Sequence, residues 1–177
     1  LFKFKRVLAF FGIDSEEAVM ATKLAGIKTR FLPFNKGNNG GRGNPVNPKG
    51  YKTSYMWEEI FSPQSLLELI SQFITVHKEE KEDENGRKYV EENLIFPRYH
   101  QREAVQKLVL DAKASGTGRN YLIQHSAGSG KSNTIAWTAH RLSELHGNDN
   151  KAVFDGVAVL TDRKILDRQL SETFEQF

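Results

Sequence analysis

YLIQHSAGSGKS, residues 121–132, decides how the chain is read: a short apolar run, a glycine-rich turn, then a lysine and a serine that open a helical stretch. The small residues Ala127, Gly128, Ser129 and Gly130 let the backbone curl so that consecutive N–H groups converge on an anion. The first turn of the following helix adds its unpaired donors and its dipole. Lys131 can then reach the β- and γ-phosphates of a nucleotide, and the Ser132 hydroxyl can complete the shell of a Mg²⁺ ion. Lys131 and Ser132 are therefore the candidate catalytic pair, with Ser132 also the candidate metal ligand. His125 stands where the generic pattern G-x-x-x-x-G-K-[ST] begins with glycine.

The flanks fit that reading. Tyr121 to Gln124 is a short strand pattern leading into the turn, and Ser132 to Leu145 is a helix pattern leaving it, with Gly147 in a helix-terminating position. Asp155 to Thr161, DGVAVLT, has the composition of a strand buried on both faces, and Arg163 to Phe174 that of a further helix. Upstream, Ala104, Val105, Leu108 and Val109 recur at helical spacing within His100 to Ala114, and Ser115 to Gly118 ends that run. Strand, helix, strand, helix is the beginning of a parallel α/β sheet with a right-handed crossover.

The first part of the chain follows another pattern. Phe4 to Phe11 and Ala18 to Leu24 alternate around a charged turn, and Lys28 to Phe34 adds a third strand, the three forming an antiparallel meander. GNNGGRGNPVNPKG, Gly37 to Gly50, has no periodicity and is expected to be a long loop, functional or mobile. Pro63 to Val76 is helical, with Ser62 as N-cap and Pro63 at the first helical position, and it should dock through Leu66, Leu67, Leu69, Ile70, Phe73 and Ile74. His77 to Glu92 has almost no apolar side chains and reads as a linker or a solvated hairpin. Glu79-Glu80-Lys81 within it matches the E-x-K signature of metal-dependent nucleases. That chemistry needs a buried strand beside another acid, and no strand pattern is visible there.

Composition bounds the class. The chain has 177 residues, 38% hydrophobic and 27% charged, and a net charge of +3, which permits a polyanionic partner without demanding one. It contains no cysteine, which excludes disulfides and thiolate metal sites. No apolar run approaches the ~20 residues of a membrane span, so a cytoplasmic chain with no membrane partner is expected. His100, His125 and His140 fall in no metal-ligand spacing and read as hydrogen-bonded packing residues, and Trp57 and Trp137 read as core.

Three stretches together resemble the Q motif, motif I and motif Ia of superfamily 2 motors: PRYHQ at Pro97 to Gln101, QHSAGSGKSNTIAW at Gln124 to Trp137, and VLTDRKILDRQL at Val159 to Leu170. FLPFNKGNNGGRGNP (Phe31 to Pro45), YKTSYMWEEI (Tyr51 to Ile60) and the histidine at 125 extend the resemblance to the motor and endonuclease subunit of type I restriction-modification enzymes. The resemblance implies that Gln101 reads the adenine edge, with Arg98 and Tyr99 beside the base. It implies that Gly128, Gly130, Lys131 and Ser132 hold ATP and Mg²⁺, and that Thr161, Asp162 and Arg163 lie on the DNA track. An amide does match the adenine N6/N7 pair.

It also implies an organisation. Residues 1–76 would be the C-terminal part of a nuclease-type α+β domain with the Asn/Gly loop at 35–50. Residues 77–92 would be a charged linker, and 93–177 the incomplete start of a RecA-like first motor lobe. The intact subunit would use ATP to pull double-stranded DNA and cut it, in complex with modification and specificity subunits. No acidic Walker B strand or arginine finger is found between Asn133 and Phe177, so the isolated chain is expected to bind nucleotide weakly, turn it over poorly and cut no DNA. The competing readings are a stand-alone superfamily 2 helicase and a nucleotide-binding coupling module without turnover.

Overall fold

A computed structural model of the chain describes residues 6–161 together with Ser171 and Phe174. It divides into two compact units, Leu1–His100 and Gln101–Phe177.

The first unit is built on an antiparallel meander: β1 (Phe10–Ile13), β2 (Ala18–Ala21) and β3 (Leu32–Pro33), in the order β1-β2-β3. Phe10 faces Ala21 and Ile13 faces Ala18, while Val19 faces Pro33. The three strands are shorter than the apolar runs suggested. Asp14 turns the chain between β1 and β2 by accepting the Glu16 and Glu17 amides at 2.7 and 2.8 Å, and Pro33, which has no N–H, limits β3 to two residues. Phe11 packs edge-to-face on Phe34, Phe61 and Phe96 at 5.3, 5.4 and 5.7 Å, a favourable geometry for aromatic quadrupoles.

The Asn/Gly loop belongs to this unit and is pinned. Asn44 is buried, its Oδ1 accepts the Lys36 amide at 2.8 Å, and its Nδ2 donates to Glu16 O at 2.9 Å and to Asn35 Oδ1 at 3.0 Å. Asn35 Oδ1 also accepts the Ala18 amide at 2.8 Å, so two asparagines tie the loop to β2. The Tyr55 hydroxyl donates to Phe34 O at 2.8 Å, and burial, with Glu59 adding to it, pushes its pKa up to about 12.

A π-helical turn at Met56–Ile60 leads to α1 (Pro63–Gln72). Ser62 caps α1 by accepting the Ser65 amide, with Pro63 at the first helical position. The broad apolar face docks only in part: Leu69 and the following Phe73 are buried, whereas Leu67 is 68% exposed and Ile70 54%. Leu66, Ile70 and Ile74 instead line a groove of about 230 Å³ with Phe11, Phe61 and Phe96. Trp57, read as core, is half exposed beside Tyr51.

The charged stretch forms a hairpin of β4 (Thr75–Glu82) and β5 (Lys88–Ile95) around a turn at Gly86. Charge hid the strand period because both faces are wet. Glu79 stands opposite Glu91, and Lys81 bridges them at 3.3 and 2.6 Å, which relieves a like-charge cross-strand pair. Thus E-x-K does sit on a strand beside another acid, but on a solvated one. No group of three or more His, Cys, Asp or Glu suited to a metal occurs among the described residues.

α2 (Tyr99–Ser115) begins at the boundary between the units, and α3 (Lys131–Ser143) lies in the second. Val105, Val109 and Ala112 of α2, and Ala136 and Trp137 of α3, are buried. α3 ends at Glu144, ahead of the expected Gly147, which instead closes a short turn by donating to Lys151 O at 2.8 Å.

The parallel sheet expected from the sequence is not formed among the described residues. Residues 121–124 and 155–161 have no regular secondary structure and carry no ladder, and the second segment is exposed rather than buried on both faces. Their side chains still alternate, with Leu122 90% and Leu160 93% exposed. Ile123, Val157 and Val159 line a cavity of about 220 Å³ with Thr134, Ile135 and Thr138 of α3. Both segments thus contribute to the same cavity without a ladder between them. The helix expected at Arg163 to Phe174 lies outside the described residues except for Ser171 and Phe174, both helical.

Candidate phosphate-binding loop

The turn at 126–130 depends on two glycines in the left-handed region, Gly128 at φ 71° and Gly130 at φ 81°. The Ser129 amide donates to Ser126 O at 3.3 Å, which folds the loop back on itself. Gly130 is the N-cap of α3 and provides no side-chain acceptor, and no acid occupies the first turn. The first amides of a helix have no intrahelical acceptor. Here those of Lys131, Ser132 and Asn133 donate to none among the described residues. Ser126, Ala127 and Gly128 are exposed, whereas Ser129 is buried and Gly130 half-buried.

Lys131 adds the charge. Its Nζ donates to Ser126 O at 3.0 Å and to His125 O at 3.4 Å, placing the ammonium over the loop carbonyls. His125 is held below the usual histidine range, first by burial and then by the Lys131 charge, so its ring favours the neutral form. Uncapped amides, a dipole end and one ammonium fit a polyphosphate tail. The half-buried Ser132 hydroxyl fits one position of a Mg²⁺ shell otherwise made of phosphate oxygens and water.

The sequence-predicted residues separate as follows. Ala127 to Ser132 form one continuous loop and helix start. Gln101 joins them: it is buried, and its Nε2 donates to Gly130 O at 2.8 Å. Within the first unit Tyr99 packs edge-to-face with Tyr55 at 5.4 Å and Phe34 at 6.1 Å, and Lys36 Nζ lies 5.7 Å from its ring centroid. Arg98 is partly buried, and burial followed by the Arg30 charge lowers its pKa from the usual arginine value. Thr161 is half-buried, while Asp162 and Arg163 lie outside the described residues. Sequence reasoning missed the Gln101 to Gly130 bond, because the two residues are 29 apart and no periodicity links them.

Residues 100–177 match the SWI2/SNF2 ATPase family. Over 119 residues, 66% of the chain, it is 33% identical to the "Putative type I restriction enzyme MjaVIIP endonuclease subunit" of Methanocaldococcus jannaschii. The chain spans only about a tenth of that relative, 10% of its length. No solved structure matches the chain. The likenesses are thus to an ATPase family in the second half of the chain and, over the longer stretch, to a restriction subunit. No helix among the described residues is long and apolar enough to cross a membrane.

Proposed function

We propose that the chain is a segment of the ATP-dependent, DNA-translocating endonuclease subunit of a type I restriction system. The carrying observation is the turned loop at 126–130, whose two left-handed glycines lead into a helix start with no side-chain cap and with the Lys131 ammonium on the loop carbonyls. In this reading Ala127 to Ser132 hold the triphosphate of ATP, Lys131 neutralises its β/γ end, and Ser132 gives one ligand to Mg²⁺. Thr161, Asp162 and Arg163 would meet the backbone of double-stranded DNA, and modification and specificity subunits would be the partners. Hydrolysis and cleavage would draw on parts of the intact subunit beyond these residues, including its nuclease acids and its Walker B strand.

The test is titration of the 177-residue chain with a fluorescent ATP analogue and Mg²⁺. Weak, saturable binding is expected, with a loss of about tenfold or more in Lys131→Ala, since charge-assisted hydrogen bonds contribute ~1.5–3 kcal/mol. Absence of binding, or equal binding by Lys131→Ala, would remove the reading. In the intact subunit the same substitution should abolish ATP turnover stimulated by duplex DNA.

A further inference from the structure

Charge is segregated along the chain. From Ala18 to Trp57 there are seven lysines and arginines and no aspartate or glutamate, while the rest holds the other 18 of the 25 basic residues and all 22 acids. The net charge of +3 thus conceals a strongly cationic stretch offset by an acidic remainder. The seven cations are not equivalent. Lys23, Lys36 and Lys52 form ion pairs with Glu91, Glu59 and Glu16. Lys28, Arg30, Arg42 and Lys49 are exposed and have no acidic partner among the described residues.

None of these four lies on a strand, so guarding a sheet edge does not account for them. They stand on or beside turns of the first unit that are held by hydrogen bonds. The Thr29 hydroxyl accepts the Ala25 amide at 2.8 Å and donates to Gly26 O at 2.7 Å, and the Lys28 amide donates to Ala25 O at 3.1 Å. Arg42 follows the left-handed pair Asn39-Gly40, whose turn is closed by the amides of Asn38 and Gly41 on each other's carbonyls at 3.2 and 2.8 Å. The Lys49 amide donates to Asn47 Oδ1 at 3.0 Å. A cation on a turn that is already ordered costs little backbone entropy when an anion arrives. Single cations on separate turns suit a polymer of regularly spaced charges better than one small anion. Asn38 to Gly41 are exposed beside Arg42 and add carboxamide donors of the kind that meet phosphate and sugar oxygens.

We propose that the first unit carries a sequence-independent contact to the phosphate backbone of double-stranded DNA, made by Lys28, Arg30, Arg42 and Lys49, in addition to the contact assigned to Thr161, Asp162 and Arg163. The choice of DNA as the polyanion rests on the restriction-subunit reading above; the sorting of the cations does not. Each cation that meets a phosphate releases condensed counterions, so affinity falls with salt in proportion to the number of such contacts.

Binding of short duplexes of two unrelated sequences to the 177-residue chain, without nucleotide and over roughly 50–200 mM salt, tests it. Lys28→Gln, Arg30→Gln, Arg42→Gln and Lys49→Gln should each flatten the plot of log K against log salt by about 0.9, equally for both duplexes, with thermal unfolding as the fold control. Lys23→Gln and Lys52→Gln remove cations already neutralised by Glu91 and Glu16 and should leave the slope unchanged. Equal flattening by all six variants would mean diffuse attraction by net charge and overturn the inference. So would a preference for one duplex, tighter binding of polyglutamate or phosphatidylserine vesicles than of duplex, or no duplex binding by the unsubstituted chain. A slope that responds to Arg163→Gln and to none of the four would overturn it and leave the second-unit contact standing. Nucleotide is absent throughout, so failure of the ATP titration above is a separate result.

Discussion

At the scale of single residues, the two loop glycines are not equivalent. Both are left-handed, which costs an L-residue ~1–2 kcal/mol. At Gly128 an added Cβ meets nothing within 4 Å, whereas at Gly130 it meets the Gln101 amide at 2.5 Å. Gly128→Ala should therefore lower unfolding stability by about 1 kcal/mol, and Gly130→Ala by about 2–4 kcal/mol, once the displaced amide is added to the backbone strain. Urea unfolding of the two variants checks this, and equal losses would mean that the amide moves aside freely. The residue types of the loop were legible because few side chains other than glycine tolerate these torsions. The Gln101 partner was not, since a long-range hydrogen bond leaves no local signature.

At the scale of elements, the α1 cap and the helices α2 and α3 could be read because Ser62-Pro63 and the apolar spacing act locally. The β4–β5 hairpin could be read only as one of two options. Its strands are held by backbone pairing and cross-strand charge, and neither shows as an apolar period. Lys81 is the joint of that arrangement: hydrogen bonds to Glu91 and then to Glu79 raise its pKa, and Lys81 in turn lowers that of Glu91. Lys81→Ala leaves Glu79 facing Glu91 across the ladder. The variant should melt at a lower temperature than the parent in dilute buffer, and the gap should close at high salt, where exposed charges are screened. A gap that persists at molar salt would show that the lysine stem, not its charge, supports the hairpin. The parallel sheet was over-read for a related reason: DGVAVLT has the composition of a buried strand, but a composition does not supply a neighbouring strand.

For the molecule as a whole, residues 121–124 and 155–161 of the second unit leave Leu122 at 90% and Leu160 at 93% exposure. Large apolar side chains this exposed are a surface prone to association. Replacing both with lysine should reduce light scattering in concentrated solution and leave the unfolding midpoint nearly unchanged, because neither side chain is buried. A large fall in the midpoint would mean that both leucines pack in solution.

The asparagine pins of the first unit bear on how the chain ages. Deamidation of asparagine proceeds by attack of the next residue's backbone nitrogen on the side chain, and Asn44, which holds the loop to β2, is followed by Pro45, whose ring nitrogen carries no hydrogen. The succinimide route is closed at the position where an added charge would do most harm. Asn39 and Asn85 each precede a glycine in an exposed turn, so peptide mapping of stored protein should find isoaspartate there first, with the loop still attached.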